Sequence, residues 1–223
     1  MVEFVFVKHA GLALDAALLF VVGLFVAWPV VHYRLRTVAA PALAAFRLVL
    51  RLMGPSAGIP RMAAVIFGFN TCAIFLYMAC GFHPLLPKAF AVWTGLNIGA
   101  VMGLGRREEE ALSARAAPES WRPAPALTSV CAALVLVVEL PCFWFGIAMG
   151  VGLGHEVQAG AAYAAALGDR AGPYFAVLAP LLLCSAVAES VAIRGMAGRV
   201  GPRGPGDAGA PDAPPRGRAG RLD

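Results

Sequence analysis

The sequence predicts an all-α fold: a polytopic membrane bundle of about five transmembrane helices plus one amphipathic helix lying in the interface. Three observations carry this. Apolar runs of about 20 residues, the length that crosses a hydrocarbon core, recur five times along the chain. Of the 223 residues 60% are hydrophobic and 14% charged, with a mean hydropathy of +0.74, the composition of a multi-span membrane protein. The basic residues are also unequally divided between alternate loops. Residues 1–194 form the integral membrane domain, and residues 195–223 are expected to be a disordered, basic, Pro/Gly-rich cytoplasmic tail with no apolar period. A net charge of +5 would suit a nucleic-acid binder in a soluble protein. Here the cations sit between spans, so they report topology, and no nucleic-acid partner is expected. The cysteines, at 72, 80, 131, 142 and 184, all lie in apolar runs without a CxxC pair, which indicates neither a disulfide framework nor a zinc site.

The first span covers residues 10–31 and ends in Trp28, Tyr33, Arg34 and Arg36, an aromatic and basic stop expected of a retained helix rather than a cleaved leader. Asp15 lies about a turn and a half inside its first end, where a carboxylate snorkels or caps. Residues 41–53 carry Arg47 and Arg51 at helical spacing; too short and too charged to span, they form the interfacial helix. Glycines and prolines at 54, 55, 58 and 60 then turn the chain. The second span, 62–82, contains Asn70, and Tyr77 and Gly81 share its face. The third, 86–104, has Gly95, Gly99 and Gly103 at spacing four, with Asn97 on the opposite side. Residues 105–124 are polar, with a short amphipathic helix and a Pro-rich lead into the fourth span.

That fourth span, 127–154, has one carboxylate, Glu139, two positions before Pro141, and then Gly146, Gly150 and Gly154. At about 100° per residue, Glu139 lies within about 60° of the glycine stripe. An ionised side chain in hydrocarbon costs at least a few kcal/mol and proline leaves a carbonyl without its helical partner, so protein rather than lipid surrounds Glu139. Pro141 either leaves the span continuous or breaks it into a re-entrant pair. The two glycine stripes predict that the third and fourth spans meet backbone to backbone. Residues 155–172 are too short for another crossing and dip at most into the interface. The last span is 173–193, with Glu189 near its far end. Five spans place fifteen arginines on one side and only Lys8, Lys88 and Arg170 on the other. The positive-inside rule then puts the N-terminus out and the C-terminus in, in a cytoplasmic membrane.

Four polar signatures recur in order within these spans: Phe67-Gly-Phe-Asn70, Thr94-Gly95-Leu-Asn-Ile-Gly99, Glu139-Leu140-Pro141 followed by glycines, and Ser185-Ala186-Val-Ala-Glu189. Together they resemble the stage II sporulation protein M family of multi-span bacterial and archaeal membrane proteins, in its F-x-x-N, N-G-x-x-x-G, H-G-x-x-E-L-P-A and A-A-x-x-E signatures. The chain departs from that pattern at Val135-Leu136, where the family has His-Gly, and at Thr94, where it has Asn. In the family's namesake the resemblance implies a role in a membrane complex that remodels peptidoglycan during spore engulfment, with catalysis supplied by partner hydrolases.

Asn70, Asn97, Glu139 and Glu189 are expected to form one buried polar cluster. Glu139 is then either neutral or hydrogen-bonded, to Asn70 or to the carbonyl freed by Pro141, and fixes helix packing. Alternatively it acts with Glu189 as a proton or cation ligand on a transport path. His9, His83 and His155 lie near span ends, with Glu156 beside the last, but no two share ligand spacing, so no metal and no cofactor is assigned. No Gly-x-Ser-x-Gly, H-E-x-x-H or phosphate loop occurs, and no catalytic residue is assigned. The expected function is a non-enzymatic scaffold or assembly component of a membrane complex, linked to cell-envelope remodelling, whose partners are the lipid bilayer and other membrane or envelope proteins. The alternative is a small proton- or cation-coupled transporter or permease subunit using Glu139 and Glu189.

Overall fold

The computed structural model describes residues 2–54, 57–104 and 125–197. These residues are helical, without a strand: α1 (Val2–His32), α2 (Arg36–Met53), α3 (Ile59–Ala79) with a 3-10 turn (Cys80–Phe82), α4 (Leu85–Leu104), α5 (Pro125–Gln158), α6 (Tyr163–Pro173), a π-helical segment (Tyr174–Leu178) and α7 (Ala179–Ala197). Five segments are long and apolar enough to cross a membrane: Val7–His32, Ile59–Phe82, Leu85–Leu104, Ser129–Gln158 and Tyr163–Gly195. The short helix expected within 105–124 and the tail from residue 198 lie outside the described residues.

Three boundaries differ from the expectation. α1 begins at Val2, so Asp15 lies more than three turns into the helix and is exposed on its outer face, not near the helix end. α2 begins at Arg36 and carries Pro41 inside it. Its inner side, Ala39, Ala42 and Leu43, packs with Ala27 and Val30 of α1 and Leu96 and Ala100 of α4, while Arg47, Leu48, Arg51 and Leu52 stay exposed. The third difference concerns residues 163–172, which are helical and continuous with the last span. They form α6, which runs without a break through the π-helical segment into α7, so the last crossing is Tyr163–Gly195. Gly168, Asp169, Arg170, Gly172 and Pro173 weaken the apolar signal there, yet Ala166 and Arg170 are buried against the bundle.

α5 is a continuous helix across Pro141. Proline is tolerated within a membrane helix when neighbouring groups and local adjustment satisfy the freed backbone. The Gly54 backbone has φ 74, the left-handed region where glycine carries no Cβ penalty, and its N–H bonds Leu50 O at 3.0 Å to finish α2. The turn is then fastened by two arginines: Arg61 donates to Leu52 O at 3.0 Å and Arg194 of α7 to Ala57 O at 3.1 Å.

The glycine stripes do not answer one another. A Cβ on Gly95 would collide with the Phe20 carbonyl and the Leu24 amide, one on Gly99 with Ala27, and one on Gly103 with Val31, so this stripe seats α4 on α1. Gly23 of α1 returns the contact, since a Cβ there would strike Val92 O and Leu96 N. The α5 stripe meets α3 and the turn after it: Gly146 against Ile74, Gly150 against the Tyr77 carbonyl, and Gly154 against Pro84. Rising residue numbers on both sides make α3 and α5 parallel. A period of four marks a face as thin without naming the helix that fills it. This is why the expected contact between the third and fourth spans, stripe against stripe, gives way to two separate seams.

The seams predict different costs for one substitution. Gly95→Ala forces two backbones apart and should lower stability by about 1–3 kcal/mol, as overpacking typically does. At Gly68 a Cβ meets nothing within 4 Å, so Gly68→Ala should be neutral or gain up to about 1 kcal/mol of helix propensity. Thermal unfolding of the two variants in one detergent checks the contrast.

Candidate functional site

Where α3, α5 and α7 meet, the bundle gathers polar side chains in its apolar interior. α7 is antiparallel to α5: Ser185 reaches Glu139, while further along α7 Ala188 and Ala192 pack on Cys131, which precedes Glu139 on α5. The fully buried Ser185 hydroxyl donates to Glu139 Oε2 at 3.3 Å. Glu189 follows Ser185 by four residues and so lies one turn along the same face, close enough that the Glu139 and Glu189 carboxyls act on each other. From α3 comes Asn70, buried at 6% exposure and directed at the Glu139 carboxyl, with its Nδ2 lacking a hydrogen-bond partner. The helix register explains its height. Gly146 faces Ile74, and two turns earlier on these parallel helices Glu139 comes level with Phe67, one turn from Asn70.

Of the four residues expected in one cluster, Asn70, Glu139 and Glu189 come together. Asn97 does not: it is half-buried on α4, whose glycine stripe seats on α1, and the contacts of the Glu139 group do not include it. A plain reading of spacing overlooked Ser185 as a direct partner of Glu139. Its signal was present, since a serine four residues before an intramembrane glutamate shares that glutamate's face. Pro141 lines a cleft of about 240 Å³ on the flank of this group, together with Val137, Cys142, Phe145, Leu178 and Leu181.

A second polar group closes one end of the bundle. Arg170, 6% exposed, donates from Nε to Met149 O at 2.9 Å and from Nη1 to Ala166 O, and its Nη2 pairs with Glu156 Oε2 at 3.0 Å. Lys8 holds the other oxygen of Glu156 at 3.4 Å. His9 is buried at 7% exposure against Gly152, where a Cβ would stand 3.2 Å from its Cε1 and 3.6 Å from Arg170 Nη2. A cleft of about 200 Å³ opens between Lys8, His9, Glu156, Asp169 and Arg170. His83 bonds the Leu85 amide through Nδ1 at 3.3 Å and His155 is exposed. Among the described residues, no three of His, Cys, Asp and Glu stand close enough to hold a metal ion.

Hydroxyls complete the polar inventory. Thr94 Oγ1 donates to Phe90 O at 2.7 Å, so the Tyr77 hydroxyl, 2.7 Å away, is the donor to Thr94 and ties α3 to α4. Tyr174 bonds Thr71 at 2.9 Å and Tyr163 bonds Ala79 O at 2.6 Å, both linking the last crossing to α3.

Arg170→Lys keeps a charge for Glu156 but cannot reach both carbonyls with a fixed fork. It should cost about 1–3 kcal/mol, the scale of losing two charge-assisted bonds. Glu156→Gln, at a carboxylate open to solvent, should cost no more than about 1 kcal/mol. Differential scanning of both proteins in the same micelles checks the order.

Comparison with known proteins follows the same division of the chain. Neither the curated proteins nor the solved structures contain a match to it. The sequence model described as stage II sporulation protein M matches residues 16–192, a stretch that holds the Glu139 group, both glycine seams and most of all five crossings. The chain therefore belongs to the stage II sporulation protein M family.

Proposed function

We propose that the chain is a non-enzymatic scaffold or assembly component of a membrane complex engaged in cell-envelope remodelling. In this reading it lies in the cytoplasmic membrane with its N-terminus out and C-terminus in, and its partners are other membrane or envelope proteins. The observation that carries the reading is how the bundle uses its buried polar groups. Tyr77 with Thr94, Tyr174 with Thr71, Tyr163 with Ala79, Arg170 with Met149 and Ser185 with Glu139 each tie one crossing to another. Side chains used as cross-braces hold a bundle in one shape, which suits a part that others dock on. Family membership adds to this.

One observation favours a second reading, a small proton- or cation-coupled transporter or permease subunit: two carboxyls, Glu139 and Glu189, occur together inside the bundle, as they do on the ion paths of many transporters.

The two readings part on one substitution. For a scaffold, Glu139→Gln should leave both folding and the set of captured partners unchanged when the tagged full-length protein is purified from native membranes and its companions are identified. Recovery of cell-wall hydrolases supports the scaffold. For a transporter, the same variant, folded and reconstituted into proteoliposomes, should lose at least tenfold in flux, and recovery of an ATPase would point to a permease subunit. A wild-type protein that emerges alone from native membranes counts against both complex-based readings.

A further inference from the structure

The cleft at the end of the bundle where α1 begins lies at a depth that helix lengths define. α4 has 20 residues, about 30 Å at about 1.5 Å per residue, which is the thickness of a hydrocarbon core. Its first turn therefore marks one boundary of that core. Gly150 and Gly154 of α5 meet Pro87 and Pro84, at the start of α4, so α5 leaves the core between them, with Met149 just inside and Glu156 just beyond. On the last crossing Arg170 bonds Met149 O. That rod runs antiparallel to α5, so Pro173 lies deeper than Arg170 and Asp169 shallower. The cleft of about 200 Å³ thus has Met149 and Pro173 on its hydrocarbon side, and Lys8, His9, Glu156, Asp169 and Arg170 at the level of lipid headgroups.

Both signs of charge line it. Lys8 and Arg170 each bind one oxygen of Glu156, while Asp169 is exposed and makes no hydrogen bond or ion pair with another described residue. Arg170 bonds Met149 O, Ala166 O and Glu156 with one N–H from each of its nitrogens, so each Nη keeps a second N–H. His9 is more than nine-tenths buried in the cleft wall, and its Nδ1 has no hydrogen-bond partner among the described residues. A buried polar atom in that state is rare and costly, and it calls for a polar ligand. Nδ1 and Arg170 Nη2 flank one spot, since a Cβ on Gly152 would stand 3.5 Å from the first and 3.6 Å from the second.

A purely anionic ligand would bring its charge against Asp169 and Glu156, and a purely cationic one against Lys8 and Arg170. A zwitterion meets both. Phosphate suits guanidinium and ammonium donors. A carboxylate needs N–H donors, which a primary ammonium has and a quaternary one lacks. Quaternary ammonium is held by aromatic faces instead, and among the described residues the only ring on the lining is the His9 imidazole. At about 30 Å³ for each water-sized group, the space suits a phosphate with a short amine arm.

We propose that this cleft binds the headgroup of an ethanolamine phospholipid, with the phosphate on Arg170 and Lys8 and the ammonium on Asp169. The glycerol end lies against Met149 and Pro173, and His9 Nδ1 bonds the headgroup from the wall. Bound there, the lipid joins α1, α5 and the last crossing at one end of the bundle, whichever reading of function holds.

Native mass spectrometry tests this on the full-length protein released from nanodiscs containing equal parts of ethanolamine, choline and glycerol phospholipids with the same acyl chains. One ethanolamine lipid should stay bound in about tenfold excess over either other lipid, the scale of one charge-assisted hydrogen bond. Asp169→Asn, at an exposed position, should fold as the wild type does and lose that excess. Lys8→Gln should lower retention of the ethanolamine lipid and keep it ahead of the others. Equal retention of all three lipids means annular lipid only, a lead for the glycerol lipid means an anionic-headgroup site, and an unchanged lead in Asp169→Asn puts the lipid elsewhere; each overturns the proposal. Should a variant fail to elute as a folded species, the wild type decides with lipids of stepwise methylated amines. Retention should fall as N–H groups are lost, and a flat series overturns the assignment. Free O-phosphoethanolamine should not be retained in choline-lipid nanodiscs, and its retention would make this a site for a soluble zwitterion instead of a lipid.

Discussion

Backbone approach is the constraint from which this bundle follows. Inside a bilayer an apolar side chain gains nothing by leaving lipid for protein, so helices associate through close contact and polar bridges. Two seams supply the contact. At one, Gly23 and Gly95 let α1 and α4 touch main chain to main chain; at the other, Gly146, Gly150 and Gly154 let α5 settle on α3 and on the prolines after it. Interior side chains such as Ile74, Met78, Ile147, Leu153 and Leu182, none more than about 1% exposed, fill what remains. Apolar residues on the other faces, Leu14, Phe25, Val130 and Val137 among them, stay uncovered, as lipid-facing positions do. With the seams fixed, the polar braces have defined lengths to span.

Much of this was legible in the sequence for a simple reason: a span of about 20 apolar residues is a length, and lengths survive without three-dimensional information. Five crossings and the isolation of Glu139, Glu189 and Asn70 among apolar neighbours could be read directly. Partner choice could not. Gly95, Gly99 and Gly103 announce a thin face, but Phe20, Leu24 and Val31, which fill it, carry no mark that sets them apart from other apolar residues. The fate of Asn97 follows from the same gap, because its distance from Glu139 depends on which neighbour α4 selects. The helical continuity of residues 163–172 with the last span was hidden for a different reason. Arg170 and Asp169 lower the hydropathy of a turn that is nonetheless helical and packed, and only the acceptors Met149 O and Ala166 O reveal how a guanidinium is accommodated there.

Charge follows a rule across the two polar groups. Near the end of the bundle Glu156 is half-exposed and has two cations, Arg170 and Lys8, a shared pairing that solvent and salt moderate. Deeper in, Glu139 accepts from one neutral donor, the Ser185 hydroxyl, with Asn70 and a second carboxyl, Glu189, beside it. Ion pairs carry a growing desolvation cost with depth, and a polar group there is met by neutral partners instead. The sequence reading treated Glu139 as a neutral packing carboxyl or a hydrogen-bonded one. The hydrogen-bond partner that the structure gives it is Ser185, rather than Asn70 or a carbonyl freed by Pro141.

The last crossing must serve both groups, and its irregular middle explains how. In an uninterrupted α-helix, at about 100° per residue, Arg170 and Glu189 would point roughly 100° apart. A π-helical turn replaces i→i+4 by i→i+5 bonding and so absorbs one residue. With that residue removed from the count, the same two positions fall in phase, and Ser185 lies about 40° away. The π-helical segment Tyr174–Leu178 lies between them, directly after Pro173, which has no N–H to donate. A proline that cannot hold the α pattern is thus placed where the pattern has to slip by one. The consequence is that Glu189 comes onto the side from which Arg170 reaches Met149, while Ser185, about 60° from Arg170 without the slip and about 40° with it, reaches Glu139 from nearly the same side. Without the slip, Glu189 would point about 100° away from the side that Arg170 faces.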